Sequence, residues 1–209
     1  MKRNNASGKI ILIPSSLGEG SPDFYTKQSK EIIFAIDYFL VENERTARRF
    51  LRSIGYKNDF DKGTMIAVEN NNAFVADEKM KSFLKNGKNI GVISEAGCPG
   101  IADPGSSVVK WAHQNNFQVV PLIGPSSIFL ALMASGLNGQ QFAFHGYLPV
   151  SSIERKKKLK QLEEESKRKQ QTQIFMETPY RNDGLLKDVL ETLLPLTLLC
   201  VASNITTED

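Results

Sequence analysis

The chain has 209 residues, of which 41% are hydrophobic and 23% charged, with 26 Lys and Arg against 23 Asp and Glu. This composition excludes a disordered chain and predicts a globular protein of one large or two small domains. Two cysteines and two histidines are too few for a disulfide framework or a Cys/His zinc site, so we expect reduced cysteines and no metal. The first apolar run is shorter than a signal-peptide core and turn residues interrupt the longest uncharged segment, so we expect a cytoplasmic protein without a membrane span.

Short apolar, β-rich runs alternate along the chain with helical patterns. Strands are predicted over residues 9–13, 38–42, 64–68, 90–94, 118–121, 142–147, 172–177 and 196–202. Helices are predicted over residues 26–36, 45–54, 73–86, 105–115, 126–134, 153–169 and 180–194. This alternation predicts an α/β fold with helices packed on largely parallel sheets. A Pro/Gly turn at 121–125 is the predicted boundary between an N-terminal α/β domain, residues 1–122, and a C-terminal α/β domain, residues 123–209, with a shared cleft.

Glycine- and proline-rich loops follow several predicted strands. The densest is SEAGCPGIADPG, residues 94–105, in which Asp103 is also predicted to cap the next helix. Shorter turns follow at residues 14–20, 123–127, 145–149 and 177–181. Because α/β proteins bind ligands beyond the carboxyl ends of their strands, these loops predict a site lined by backbone groups and small side chains, a purely structural turn being the alternative. The chain has no Walker A or G-x-G-x-x-G motif, so the pattern does not support a nucleotide-phosphate loop.

The net charge of +3 is unevenly distributed. Residues 151–173 carry eight Lys and Arg against four Glu, a net +4, so the remainder carries −1. A second basic feature is the set Arg45, Arg48, Arg49 and Arg52, whose spacing puts four guanidiniums on one helical face. Both features predict contact with an anion, and solvated helix faces are the alternative.

Seven short elements follow one another along the chain: PSSLG, VENERT, SEAGCPGIADPG, PLIGPSS, ASGL, FHGYLP and METPYR. In order and spacing they resemble the tetrapyrrole methylase superfamily, and within it the ribosomal RNA small subunit methyltransferase I family. The resemblance covers nearly the whole chain from about Gly8. It implies two α/β domains with a cofactor cleft between them, and a cytoplasmic homodimer. It also implies transfer of a methyl group from S-adenosylmethionine to the 2′-hydroxyl of a cytidine ribose in 16S ribosomal RNA.

The resemblance implies specific contacts where the residues match the family's motifs. The S-adenosylmethionine contacts it implies are Leu17, Gly97, Cys98, Ile101, Ser126, Ser127 and Met176. A ribose hydroxyl reacts better with a positioned base; the candidates are the strand-end carboxylates Glu42, Glu95 and Glu177, with His145 as a further one. Each carboxylate has the alternative role of holding a turn or an arginine. The residues expected to contact RNA phosphates are Arg45, Arg48, Arg49, Arg52, Lys156, Lys157, Lys158 and Arg181.

The chain departs from the family pattern on the expected substrate side. The family's TPIGNL loop is replaced at residues 15–20, its AEDTR element at 41–45 and its HDHNE-like segment at 69–72. The family also continues into further strands after the position of Asp209, so we expect the second domain to lack its last strands here. Two alternatives therefore stay open: a relative that methylates a small tetrapyrrole-like substrate, and a catalytically silent RNA-binding relative.

Overall fold

The computed structural model describes residues 7–18, 23–68 and 74–207, and its architecture confirms the predicted α/β fold class. By their contacts the residues form two compact units, one extending to Ser126 and including the residues from Thr206 on, the other from Ser127 to Ile205. Each unit has its own sheet and its own core. The domain division at residue 122 stays a prediction, as does the cleft.

The first unit is built on a five-stranded parallel sheet in the order β3-β2-β4-β1-β5. Its strands are β1 (Lys9–Ile13), β2 (Tyr38–Val41), β3 (Thr64–Ala67), β4 (Ile90–Ile93) and β5 (Gln118–Pro121). Its helices are α1 (Lys27–Phe34), α2 (Glu44–Ser53), α3 (Glu78–Lys85) and α4 (Ser106–Gln114). Every residue of β2 and β4 is buried, which explains why these strands are continuous apolar runs, as expected for a sheet covered on both faces.

Successive residues of each strand face opposite sides of this sheet and so contribute to two cores. Ile13 and Phe39 pack on one face with residues of α1 and α2, whereas Ile10 and Leu40 pack on the other with residues of α3 and α4. Gly91 faces the first core, where a Cβ atom would lie 2.8 Å from side-chain carbons of both Ile13 and Phe39. The two packed faces fix the sheet between four helices and leave its carboxyl edge to the loops.

The neighbouring strands β1 and β4 lead to helices on opposite faces of the sheet. Helix α1, after β1, contributes Ile33 to one core, and helix α4, after β4, contributes Val108 and Ala112 to the other. The chain therefore leaves these two adjacent strands in opposite directions. In open parallel sheets such a point is where a crevice forms beyond the carboxyl ends and where ligands bind.

The second unit contains two parallel strands and three α-helices. They are α5 (Ser127–Ser135), β6 (Phe142–Tyr147), α6 (Ser152–Lys169), β7 (Thr172–Met176) and α7 (Asn182–Thr192), with a short 3-10 helix at Pro179–Arg181. Its core joins Leu159 and Leu162 of α6 to Val189 of α7 and to Leu148. None of the helices within the described residues combines the length and apolar character needed to cross a bilayer.

Three predicted elements differ from the structure. The helix predicted over 73–86 begins only at Glu78, because Asp77 accepts the Met80 N–H and caps it there; residue 73 lies outside the described residues. Helix α4 has Gly105 at its N-cap, with φ of +125° and no side-chain cap, so Asp103 does not cap it. The strand predicted over 196–202 is wrong, since the described residues of this unit pair only β6 with β7 and Leu196 and Val201 are 92% and 75% exposed. An apolar run becomes a strand only where a neighbour accepts its hydrogen bonds.

Candidate active site

Two loops at the carboxyl edge of the first unit's sheet are hydrogen-bonded to each other. The Ser15 N–H donates to the Gly97 carbonyl at 2.9 Å, and the Gly97 N–H donates to the Ser15 carbonyl at 3.2 Å. The buried Ser15 hydroxyl also donates to the Ser94 carbonyl at 2.7 Å. These bonds make the loop after β1 and the loop after β4 one rigid surface.

Several of the predicted cofactor residues come together around Gly97. Its φ of +69° is in the left-handed region, and a Cβ atom there would lie 3.3 Å from Leu17 Cδ2 and 3.7 Å from the Pro125 carbonyl oxygen. The neighbouring Cys98 thiol donates to the same carbonyl at 3.3 Å. These contacts form one group, which we call the Gly97 turn and which consists of Leu17, Gly97, Cys98 and Pro125. Pro125 directly precedes the predicted contact Ser126. Ile101 belongs to the same loop, with its N–H on the Cys98 carbonyl at 3.2 Å and its side chain 44% exposed.

Neither Cys98 nor the adjacent Tyr25 is placed to act as a nucleophile. Burial raises the pKa of the Cys98 thiol, and the negative charge of Asp103 raises it further, so the thiol stays protonated near neutral pH. Burial likewise raises the pKa of Tyr25 above its ordinary range, and its hydroxyl donates to the Pro14 carbonyl. Both groups stabilise the loops around the Gly97 turn.

Three acidic side chains interact beside this turn. The Glu42 carboxylate, after β2, accepts the Glu95 backbone N–H at 3.1 Å, and Glu95 in turn accepts the Thr46 hydroxyl at 3.4 Å. The third is Asp103, whose pKa is raised to about 6, first by burial and then by the negative charge of Glu42 and, more weakly, of Glu95, against a lowering hydrogen bond from Ser94. Glu42 and Glu95, both predicted as bases, are thus brought together with a carboxyl group that takes up protons near neutral pH.

Helix α2 begins two residues after Glu42 and carries the four arginines predicted to share one helical face. We call this set the arginine stripe; its members are Arg45, Arg48, Arg49 and Arg52. Asn43 caps this helix by accepting the N–H groups of Arg45 and Thr46. Arg45, Arg49 and Arg52 are exposed, while the half-exposed Arg48 lies 3.5 Å from Glu44. The stripe therefore starts beside Glu42, Glu95 and Asp103, which we call the acidic group, and continues along the exposed face of α2.

The sequence around this site matches a known protein family. Residues 10–209 match the model of the Tetrapyrrole (Corrin/Porphyrin) Methylases. The chain belongs to the tetrapyrrole methylase family. This confirms the resemblance drawn from the SEAGCPGIADPG loop, which here holds Gly97, Glu95 and Asp103 together.

Curated members of the tetrapyrrole methylase family with similar sequences are named Ribosomal RNA small subunit methyltransferase I. The protein of Escherichia coli O157:H7 is 30% identical over 91% of this chain and 63% of its own length. That of Buchnera aphidicola from Schizaphis graminum is 31% identical over 99% of the chain and 68% of its own length. That of Bacillus subtilis strain 168 is 31% identical over 89% of the chain and 60% of its own length. The matched region therefore spans 60 to 68% of these three relatives.

The predicted site residues of the second unit form contacts within that unit. The Glu177 side chain is 3% exposed and lies 2.8 Å from Arg181 Nη2, and the same nitrogen donates to the Leu148 carbonyl at 2.8 Å. Glu177 and Arg181 thus brace the loop after β6; for Glu177 this is the alternative role of holding an arginine. Met176 is half-buried at the end of β7, and His145 is hydrogen-bonded to Gln173 at 2.6 Å across the sheet.

The basic residues of α6 divide between structural and exposed positions. Lys156 contacts Glu191 at 2.5 Å and Asp188 at 3.6 Å, and the Glu191 hydrogen bond is the main reason its pKa is raised. Lys157 is exposed and Lys158 half-buried. Arg155 is buried and paired with Asp188 at 2.6 Å. Lys156 is therefore already engaged within the unit, whereas Lys157 has its charge on the surface.

Sequence reasoning missed Asp103 as a functional residue. The pattern predicts a helix cap at this position, because Asp-Pro before a helix is a common start signal. The available signal was a carboxylate in the same Gly/Pro loop as Glu95, one strand away from Glu42 at the end of β2. Among the described residues, no group of three or more His, Cys, Asp or Glu side chains is arranged to hold a metal ion.

Proposed function

We propose that this protein is an S-adenosylmethionine-dependent methyltransferase that methylates the 2′-hydroxyl of a cytidine ribose in 16S ribosomal RNA. The observation that carries the proposal is the position of the Gly97 turn beside Glu42, Glu95 and Asp103 at the carboxyl edge of a parallel sheet. The names of the curated relatives support the RNA substrate.

The residues around Gly97 fit the proposed cofactor. A side chain at position 97 would press on Leu17, so glycine keeps the backbone of the turn close to Leu17, and the apolar groups of Cys98 and Ile101 lie in the same loop. S-adenosylmethionine carries a positively charged sulfonium and supplies an activated methyl group when bound. The carboxylates of Glu42 and Glu95 supply compensating negative charge. We propose Ser126, Ser127 and Met176 as the remaining contacts.

The acidic group supplies the base that a ribose hydroxyl requires. A general base is most efficient when its pKa lies near the working pH, and the pKa of Asp103 is raised to about 6. Glu42 and Glu95 stay candidates, because each reaches the same edge of the sheet. Glu177 is the weakest of the predicted bases, since its buried carboxylate already pairs with Arg181. In this proposal a carboxylate accepts the 2′-hydroxyl proton, and the loops exclude water from the reacting oxygen.

The partner in this proposal is small-subunit ribosomal RNA, held by the exposed basic residues. Arg45, Arg49, Arg52 and Lys157 have their charge on the surface, where each neutralised phosphate releases counterions. The predicted homodimer and cytoplasmic location belong to the same proposal and follow from the family resemblance.

The test is transfer of label from a tritiated methyl donor to 30S subunits taken from cells that lack the protein. We expect label in a cytidine ribose of 16S RNA with the wild type. Glu42→Gln, Glu95→Gln and Asp103→Asn identify the base, because its loss should slow transfer by about a hundredfold or more. Glu78→Gln, on the exposed side of α3, is the matched control. Cofactor binding by calorimetry without any label in RNA would favour a small-molecule methylase. RNA binding without cofactor binding would favour the silent relative.

A further inference from the structure

The arginine stripe is not a simple row of solvated charges, because an aromatic side chain holds two of its members. The Cζ atom of Arg52 lies 4.3 Å above the centroid of the Phe60 ring, and that of Arg48 lies 5.4 Å from the same centroid. Arg52 also donates to the Tyr56 carbonyl at 2.6 Å. Both distances are within the range of cation–π attraction. Two guanidiniums from α2 are therefore fixed in place by a residue outside the helix.

Phe60 is itself held by the core of the first unit. Its ring stacks on that of Tyr56, with centroids 5.5 Å apart and planes 15° apart. Tyr56 is 3% exposed, and its hydroxyl donates to the Ile36 carbonyl at 2.7 Å. A ring supported in this way does not move with the helix surface. The Tyr56–Phe60 pair thus gives Arg48 and Arg52 a rigid support.

Holding the guanidiniums of Arg48 and Arg52 over one ring places like charges close together. Their electrostatic repulsion lowers stability unless an anion binds there. Residues 44–63 carry six Lys and Arg against three Asp and Glu, a net +3 that equals the net charge of the whole chain. Like charges at i,i+3 and i,i+4 destabilise a helix, and on α2 the acidic neighbour within ion-pair distance of Arg48 is Glu44, at 3.5 Å. A helix face on which Phe60 holds Arg48 and Arg52, with Arg45 and Arg49 exposed on the same helix, is suited to an extended polyanion.

We infer that Phe60 is a positioning residue for RNA, and that Arg45, Arg48, Arg49 and Arg52 form a binding surface for the single-stranded segment beside the reacting nucleotide. The inference rests on the proposed function. Helix α2 begins beside Glu42 and Glu95, and its arginines cover about 10 Å at 1.5 Å per residue, which is long enough to meet more than one phosphate of a strand. A guanidinium plane held over an aromatic ring also suits stacking against unpaired bases.

The experiment measures binding of a fluorescein-labelled single-stranded RNA of mixed sequence by anisotropy, over a series of salt concentrations. Arg48→Ala combined with Arg52→Ala should lower the slope of log affinity against log salt by about 1.4. Phe60→Leu, which keeps the charge, should weaken binding about threefold to fivefold, and Phe60→Trp should restore it. Phe60→Leu should add nothing in the Arg48→Ala, Arg52→Ala background, which a general loss of folding would not reproduce.

The controls lie on the opposite face of the sheet. Phe74→Leu removes an aromatic ring that packs on Trp111, and Lys79→Ala removes an exposed charge of α3; neither should alter RNA affinity. RNA binding that Phe60→Leu leaves unchanged would overturn the inference and leave the proposed function standing. Equal affinity for duplex DNA would overturn the assignment to single-stranded RNA. Methyl transfer to a small molecule, with no RNA binding by the wild type, would overturn both.

Discussion

The Glu42 carboxylate accepts a hydrogen bond of 3.1 Å from the backbone N–H of Glu95, 53 residues further along the chain. This bond joins the loops after β2 and β4 and places two negative charges near Asp103. Burial already disfavours the ionised form of Asp103, and these charges disfavour it further, so its pKa is raised to about 6. The site therefore holds a destabilised carboxylate.

Asp103→Asn should stabilise the protein above pH 6 and leave its stability unchanged near pH 4. Between the ordinary pKa of 3.8 and the folded value of about 6, the folded state binds more protons than the unfolded state, so stability falls as pH rises through this window. With allowance for solvent screening, the gain above the window should be about 1 to 2 kcal/mol. Urea unfolding at a series of pH values measures it, and a loss of stability at pH 8 would contradict the raised pKa.

Gly97→Ala should weaken both the fold and the proposed cofactor site. A residue with a side chain at φ of +69° costs about 1 to 2 kcal/mol, and the new methyl group would press on Leu17. We expect calorimetry to detect S-adenosylmethionine binding by the wild type and affinity reduced by about tenfold or more in the variant. Gly139→Ala is the matched control, because a Cβ atom there meets nothing within 4 Å. Equal cofactor affinity in both variants would remove Gly97 from the site.

The alternating elements could be predicted because each has a local pattern. Seven of the predicted strands overlap observed ones, since buried parallel strands such as Ile90–Ile93 are apolar throughout. The run at 196–202 has a similar composition, but a strand also depends on a neighbour that is distant in sequence. The first residues of α3 and α4 were harder to predict, because several turn residues precede each helix and any of them could be the N-cap. The local sequence alone does not show that Asp77 and Gly105 are the caps.

The site could be predicted where the signal is backbone shape, or a carboxylate at a strand end as for Glu42 and Glu95. Gly97 stands out because a glycine between turn residues indicates a special conformation. The raised pKa of Asp103 comes from burial and from Glu42, which lies 61 residues away in sequence, so no local pattern contains it. The difference between Arg45, which is exposed, and Arg181, which is bound to Leu148 and Glu177, is likewise a matter of tertiary contacts.

Tyr38→Phe should destabilise the first unit by about 1 to 2 kcal/mol. The Tyr38 ring is 1% exposed, and its hydroxyl donates to both carboxylate oxygens of Asp77 at 3.1 and 3.2 Å. Asp77 also caps α3 through the Met80 N–H, so the hydroxyl connects β2 to the start of that helix. Tyr180→Phe, at a side chain that is 99% exposed, should leave thermal stability unchanged. Equal melting temperatures for the two variants would show that the Asp77 bond adds nothing.

Asp188→Asn should clearly destabilise the second unit, because it leaves a buried guanidinium without its counter-charge. Asp188 and Arg155 are 3% and 7% exposed and lie 2.6 Å apart. Burial works to raise the pKa of Asp188, but the Ser152 and Arg155 hydrogen bonds and the nearby positive charges outweigh it, so this pKa is lowered below 3.8. The stability gained from the pair is therefore present above pH 4 and is lost as pH falls through the lowered pKa.

Urea unfolding at pH 7 and pH 3 should show a difference in stability between Asp188→Asn and the wild type that shrinks on acidification. Glu78→Gln, which breaks the exposed pair with Lys81, should leave stability almost unchanged, and a similarly small effect of Asp188→Asn would mean that the buried pair does not hold α6 to α7.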